Sequence, residues 1–186
     1  MEASVDASMD ATLQRLVDQV LAGRAARTPR DIRGGGTKAF YGGEPAGDVL
    51  DVRPLAGISS YEPSELVVTV RGGTLLADLE AALAEKGQCL PFEPPRFEPA
   101  GTVGGMVAAG LSGPARAAVG GVRDYVLGAA LLNGRGELLN FGGTVMKNVA
   151  GYDVSRVLAG SMGIFGVICE VSLKIPMLPA STRDTS

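Results

Sequence analysis

The sequence predicts an α+β fold of two small lobes, on three observations. Helix-period and strand-period segments alternate up to roughly residue 90, where a loop holding Pro91, Pro94, Pro95 and Pro99 intervenes. Beyond that loop the pattern changes to a hairpin and a long final strand. The 27 glycines, roughly twice the usual share of about 7%, gather in clusters between the periodic segments, as several loops converging on one place would require. With 186 residues, 46% hydrophobic and 20% charged, the chain has enough apolar material for a packed core.

Leu13, Leu16, Val17, Val20 and Leu21 recur at helical spacing, and Gly23 stands where a C-terminal glycine cap belongs. A short strand over Pro29–Arg33 breaks into Gly34-Gly35-Gly36-Thr37-Lys38. Asp48–Val52 and Glu65–Val70 read as strands, the second rich in β-branched residues. Thr74 is placed to cap a helix through Leu75, Leu79, Ala82 and Leu83 that Gly87 ends. The proline-rich loop reads as a lobe boundary or as a stiffened loop lining a site. After it, Gly101-Thr102-Val103-Gly104-Gly105 opens a small-residue helix through Met106–Ala109. Tyr125–Leu132 and Glu137–Phe141 flank Asn133-Gly134-Arg135-Gly136, a strong hairpin signal. Asp153 caps a short helix ending at Gly160, and a last strand runs over Val167–Ile175 until Pro176 stops it. The expected organisation is an N-terminal helix over 1–27, a first lobe over 28–95, a second over 96–178 and a disordered polar tail over 179–186.

Composition removes several function classes. A net charge of −3 offers no basic field for nucleic acid. The longest apolar runs, such as Val126–Leu132, are too short to span a membrane, and the N-terminal stretch carries Asp6, Asp10 and Asp18, unlike a signal peptide. These features predict a cytoplasmic chain. Two cysteines, Cys89 and Cys169, are too few for a disulfide framework and read as small buried hydrophobes. There is no histidine, so no Ser-His-Asp or Cys-His pair exists, the commonest transition-metal ligand is missing, and a histidyl-linked flavin is impossible. Chemistry here has to come from a bound cofactor or from another chain.

The glycine loops carry the candidate sites. Gly34 to Ala39 fits G-x-G-x-x-A after a strand, but Gly42-Gly43-Glu44-Pro45 interrupts where a Rossmann loop opens a long helix, and no Walker motif exists. What remains is either a structural turn or an anion-binding concavity of consecutive N–H groups, with Arg33 and Lys38 as neutralising cations or as solvated side chains. Gly101–Gly105 is open to two readings as well: phosphate at a helix start, or close packing of a small helix on a sheet.

Four stretches taken in order add a resemblance: Arg33–Lys38, Gly101–Gly105, Gly120–Gly128, and Lys147–Asp153 followed by Gly160–Ile168. Together they resemble the FAD-binding domain of the vanillyl-alcohol oxidase or PCMH superfamily, and within it the FAD-binding E subunit of bacterial glycolate oxidase. The resemblance implies a two-lobed PCMH-type domain with non-covalent FAD between the lobes, and without the substrate (cap) domain that such proteins carry. It implies that Arg33, Gly34, Gly35, Gly36, Thr37 and Lys38, with Gly101, Thr102, Gly104 and Gly105, cradle the pyrophosphate. Ser112 and Gly113 match a position beside the flavin ring. Gly121, Asp124, Val126 and Ile168 match segments lining FAD, the last two near the adenine. Lys147, Asn148 and Tyr152 match a structural loop near the cofactor. Two departures stand out: Ser161-Met162 replaces a serine-glutamate pair, and Phe165 stands in place of leucine.

The function so implied is FAD-dependent oxidation of a short 2-hydroxy acid such as glycolate, with hydride passing to the flavin, no catalytic side chain in this chain, and no activity from it alone. The implied partners are a larger flavoprotein subunit and an iron–sulfur subunit, with any contact to the inner membrane made through them. The alternative is a non-catalytic partner that stabilises a related catalytic flavoprotein subunit.

Overall fold

The computed structural model of the protein describes residues 2–44, 46–143 and 153–177. The readings of Lys147, Asn148 and Tyr152, and of the tail over 179–186, lie outside the described residues.

Helix α1 covers Glu2–Ala26. It buries Leu16 and Val20, with Leu13 and Val17 half-buried beside them, against Leu50, Val52, Leu55, Leu132, Val167 and Cys169. The expected end at Gly23 is overturned, because the helix continues to Ala26. An added Cβ at Gly23 would stand 2.3 Å from Nε of Arg30, so this glycine makes room for a guanidinium lying on the helix. The stop is at Arg27, at φ 55. The N–H of Thr28 reaches back to the carbonyl of Gly23 (2.9 Å) and that of Arg27 to Arg24 (3.2 Å), the paired bonds of a Schellman end.

Strand β1 (Arg30–Arg33) pairs in parallel with β2 (Asp48–Asp51) as a separate two-stranded sheet. An Arg30–Asp48 ion pair at 2.9 Å bridges their first residues. Strand β3 (Ile58–Glu62) was not expected: Ile-Ser-Ser-Tyr-Glu lacks apolar alternation because the strand lies at a sheet edge with both faces largely exposed. A 3-10 turn over Pro63–Glu65 and Leu66 at φ 58 lead into β4 (Val67–Arg71), which therefore starts two residues later than predicted.

Thr74 does not cap the next helix, α2 (Leu76–Ala84). Its hydroxyl is occupied by Gly57, accepting from the N–H at 2.9 Å and donating to the carbonyl at 3.1 Å. Leu76, Leu79 and Leu83 form the buried stripe of α2, and Gly87, at φ 66, ends it. Helix α3 (Val103–Ala109) is held at its start by the Thr102 side chain and stopped by Gly110 at φ 64. The short helices α4 (Arg116–Val119) and α5 (Val122–Tyr125) lead into the hairpin of β5 (Val126–Leu132) and β6 (Leu138–Gly142). There Asn133 closes the turn, its side-chain oxygen accepting the N–H groups of Arg135 and Glu137. Helix α6 (Val154–Val157) starts at Asp153 as expected, and β7 (Val167–Lys174) ends the described chain's regular structure.

Among the described residues the second sheet has the order β3-β4-β7-β5-β6, antiparallel throughout. This redraws the expected division at 95/96, since β3 and β4 share a sheet with β5, β6 and β7. The physical reason is β4: Val67, Val68, Thr69 and Val70 are all buried, so the strand needs a neighbour on each side. It finds β7 in register from Val67↔Lys174 to Arg71↔Glu170, a pairing a hundred residues apart that no local pattern reveals. Helices α2 and α3 cover one face of this sheet and complete the larger core, with Phe92 and Met106 at its centre.

Candidate cofactor site

A cavity of about 400 Å³ opens where the end of β1, the first turns of α3 and the segment Met162–Ile164 converge. Its floor is the glycine loop. Gly34 and Gly35 are glycines because of their protein neighbours: an added Cβ would fall 2.3 Å from Oγ1 of Thr102 at Gly34, and 1.6 Å from the carbonyl oxygen of Ala100 at Gly35. Gly36 has φ +70, which side-chain-bearing residues adopt at a cost. The loop is thus pressed onto the 100–102 segment.

None of the N–H groups of Gly34, Gly35, Gly36, Thr37 or Lys38 has an acceptor among the described residues, and all five residues line the cavity. Consecutive unpaired amides of this kind form an anion-binding concavity. Lys38 also lines it, half-buried and without an ion pair among the described residues, and burial lowers its pKa from the ordinary lysine range. Arg33 lines it too, paired with Asp31. The opposite wall is small and apolar: Gly105, Ala108 and Ala109 of α3, with Met162, Gly163 and Ile164.

The second expected cradle is different. At α3 the N–H of Val103 donates to Thr74 (2.9 Å), that of Gly104 to Gly72 (2.7 Å), that of Gly105 to Oγ1 of Thr102 (3.2 Å) and that of Met106 to the Thr102 carbonyl (2.9 Å). Each of these four N–H groups has an acceptor within the protein. Gly104 serves packing, since an added Cβ would stand 2.8 Å from the Gly72 carbonyl oxygen. Of the expected residues here, Thr102 and Gly105 line the cavity, whereas Gly101 and Gly104 are buried beneath it.

Ser112, Gly121 and Asp124 are brought together in a second group that does not line this cavity. The Asp124 carboxylate accepts from the Gly121 N–H at 2.8 Å, and the Ser112 hydroxyl from Val122 N–H at 3.3 Å. Gly113 adjoins them, its N–H donating to the Phe92 carbonyl at 2.9 Å. Val126 and Ile168 are not brought together: both side chains are sealed in the larger core, near opposite ends of the β5–β7 ladder. Sequence reasoning missed Asp31, Tyr41, Met162, Gly163 and Ile164 as cavity residues. The available signal was the glycine rhythm Gly160, Gly163, Gly166, all at positive φ, which bends the chain around the cavity. Burial pushes the Cys169 thiol up to about 11 and raises that of Cys89, so both favour the unreactive protonated form. Among the described residues, no cluster of three or more histidine, cysteine, aspartate or glutamate side chains is placed to hold a metal ion, and no helix is long and apolar enough to cross a membrane.

Consecutive free amides beside the basic side chains of Arg30, Arg33 and Lys38 make an anion-binding cavity. Known proteins show the family. The chain is 50% identical over 169 residues to the glycolate oxidase subunit GlcE of Escherichia coli (strain K12), covering 91% of this chain and 48% of that protein. It is 31% identical over 159 residues to the glycolate oxidase subunit GlcD of Bacillus subtilis (strain 168), covering 84% of this chain and 34% of that one. The chain therefore spans half or less of the length of these relatives. In fold it is similar to alkyldihydroxyacetonephosphate synthase, with a TM-score of 0.71 at 21% identity, over 90% of this chain and 30% of that one. The family described as "FAD binding domain" matches residues 11–142, and the chain belongs to it.

Proposed function

We propose that this chain binds FAD non-covalently, with the pyrophosphate on the amides of Gly34–Lys38 and the charges of Arg33 and Lys38, and the flavin-ring half toward Ser112 and Gly113. The observation that carries this reading is the run of five N–H groups without acceptors among the described residues, in a cavity lined by Arg30, Arg33 and Lys38. Thr102 and Gly105 complete the diphosphate side, the hydroxyl of Thr102 being held by the Gly105 amide. Gly121, Asp124, Val126 and Ile168 contribute through the backbone they hold in place. When bound, FAD supplies the hydride acceptor for oxidation of a 2-hydroxy acid, with glycolate suggested by the names of the relatives. The chain's own residues bind and orient; none is assigned a proton transfer. In this reading the chain works in the cytoplasm as the FAD-binding part of a glycolate oxidase-type complex, with a larger flavoprotein subunit and an iron–sulfur subunit.

The test is a titration of the purified chain with FAD, followed by its visible spectrum. Uptake of yellow colour, competed by ADP, is expected. A colourless chain that ignores both ligands overturns the reading. It would favour the second one, a non-catalytic partner of a related flavoprotein, to which the likeness to two differently named glycolate oxidase subunits also points.

A further inference from the structure

The proline-rich segment between α2 and α3 reaches from Phe40, beside the glycine loop, to the turn at Ser112–Ala115. At one end, Phe97 meets Phe40, just beyond the glycine loop, with ring centroids 4.8 Å apart and planes at 76°. At the other, Phe92 and Glu93 hold the turn at Ser112–Ala115. The Phe92 carbonyl accepts the Gly113 N–H at 2.9 Å, and the Glu93 carboxylate accepts the Ala115 N–H at 2.9 Å. Contact there is close enough that an added Cβ on Gly113 would lie 2.7 Å from Cβ of Glu93. In between, Arg96 is tied to Glu80 of α2 at 2.6 Å.

Glu93 makes these contacts from φ +49, a conformation that a glutamate adopts only when its surroundings impose it. The residue is exposed, so the strain is not explained by core packing. What it achieves is the position of one turn. With Gly113 pressed against Glu93 and the Ala115 amide bound to its carboxylate, the Ser112 hydroxyl is directed at Val122 N–H, and the turn is joined to Gly121 and Asp124.

We propose that Glu93 is a positioning residue of the cofactor site, setting the Ser112–Gly113 turn against which the flavin-ring half of FAD lies. This rests on the FAD reading above. Glu93 acts through the turn and touches neither the glycine loop nor the cavity, so its influence separates the two halves of the ligand. ADP, which reports only on the diphosphate and adenosine half, is the control.

The experiment titrates the full chain with FAD and, separately, with ADP, for wild type, Glu93→Ala and Glu93→Gln, with a melting curve for each. Glu93→Ala is expected to weaken FAD roughly tenfold and to change the shape of the bound-flavin visible band, leaving ADP affinity unchanged. Glu93→Gln keeps an acceptor oxygen for the Ala115 amide and is expected to recover most of the FAD affinity and the wild-type band. Wild-type FAD affinity and spectrum in Glu93→Ala would overturn the inference, as would equal losses of FAD and ADP, which mark general damage. Failure of the FAD reading itself is distinguishable: the wild-type chain would then take up neither ligand.

Discussion

Two glycine-rich turns lie against each other in this molecule, and they use glycine for different ends. At Gly34–Lys38 the amides have no protein acceptor and face a cavity; at Val103–Met106 every amide is bound within the protein. Both turns contain glycines that a Cβ would ruin, Gly35 against Ala100 and Gly104 against Gly72. Close backbone approach is therefore common to both and says nothing about a ligand. The satisfaction of the N–H groups is what separates a binding loop from a packing joint, because a backbone amide left unpaired in a cleft keeps its full capacity to donate.

The sharpest way to break this comparison is at the packing joint. Gly104→Val drives a branched side chain into the Gly72 backbone, which cannot move without moving the β4 end of the sheet. The expected cost is at least about 3 kcal/mol, read as a fall of roughly 10 °C in the thermal midpoint. A variant that melts like wild type would show that the joint yields. Gly36→Val acts on the other turn. A β-branched residue at φ +70 costs about 1–2 kcal/mol, and the distorted loop is expected to lose at least roughly tenfold in both FAD and ADP affinity while the chain stays folded. Binding that survives this change would remove the loop from the site.

Smaller effects refine the electrostatics. Lys38→Met should weaken ADP about threefold to tenfold and flatten the salt dependence of binding. The same variant has a pH signature. Burial lowers the Lys38 pKa in the folded chain, so the unfolded chain holds the proton more tightly and wild-type stability rises as pH climbs from the lowered pKa to the ordinary one. Denaturant midpoints of the two proteins measured across that alkaline window should converge as pH rises; a constant difference would contradict the assignment. The smallest change is expected from Asp31→Asn. It releases Arg33 from a partly exposed pair worth at most about 1 kcal/mol, so stability shifts little while ADP binding tightens, a result isothermal calorimetry resolves.

Much of this site was legible before any coordinates. Arg33, the three glycines, Thr37 and Lys38 stand together in the sequence, and the structure keeps them together at the cavity, because a short loop after a strand is a local object. Thr102 and Gly105 join them from seventy residues away, in line with the order of motifs. The misreadings have a common origin. Gly23 looked like a cap because its partner, the Arg30 guanidinium, lies outside the helix. Thr74 looked like a cap because the Gly57 backbone that occupies its hydroxyl is seventeen residues away.

Helix period, hairpin chemistry, strand termination and the absence of histidine are properties of neighbouring residues and of composition, and reading them required no fold. They were enough for the α+β class and for most elements. The partition of the chain into sheets was another matter. It turned on β4, whose four buried residues take a partner from the far end of the described chain. The same holds for the two glycine turns: their sequences are alike in kind, and only the placement of Thr74, Gly72 and Thr102 beside α3 ties down its amides while those of Gly34–Lys38 stay free. An amide's availability depends on which acceptor the folded chain brings within hydrogen-bonding distance, and that is settled by contacts distant in sequence.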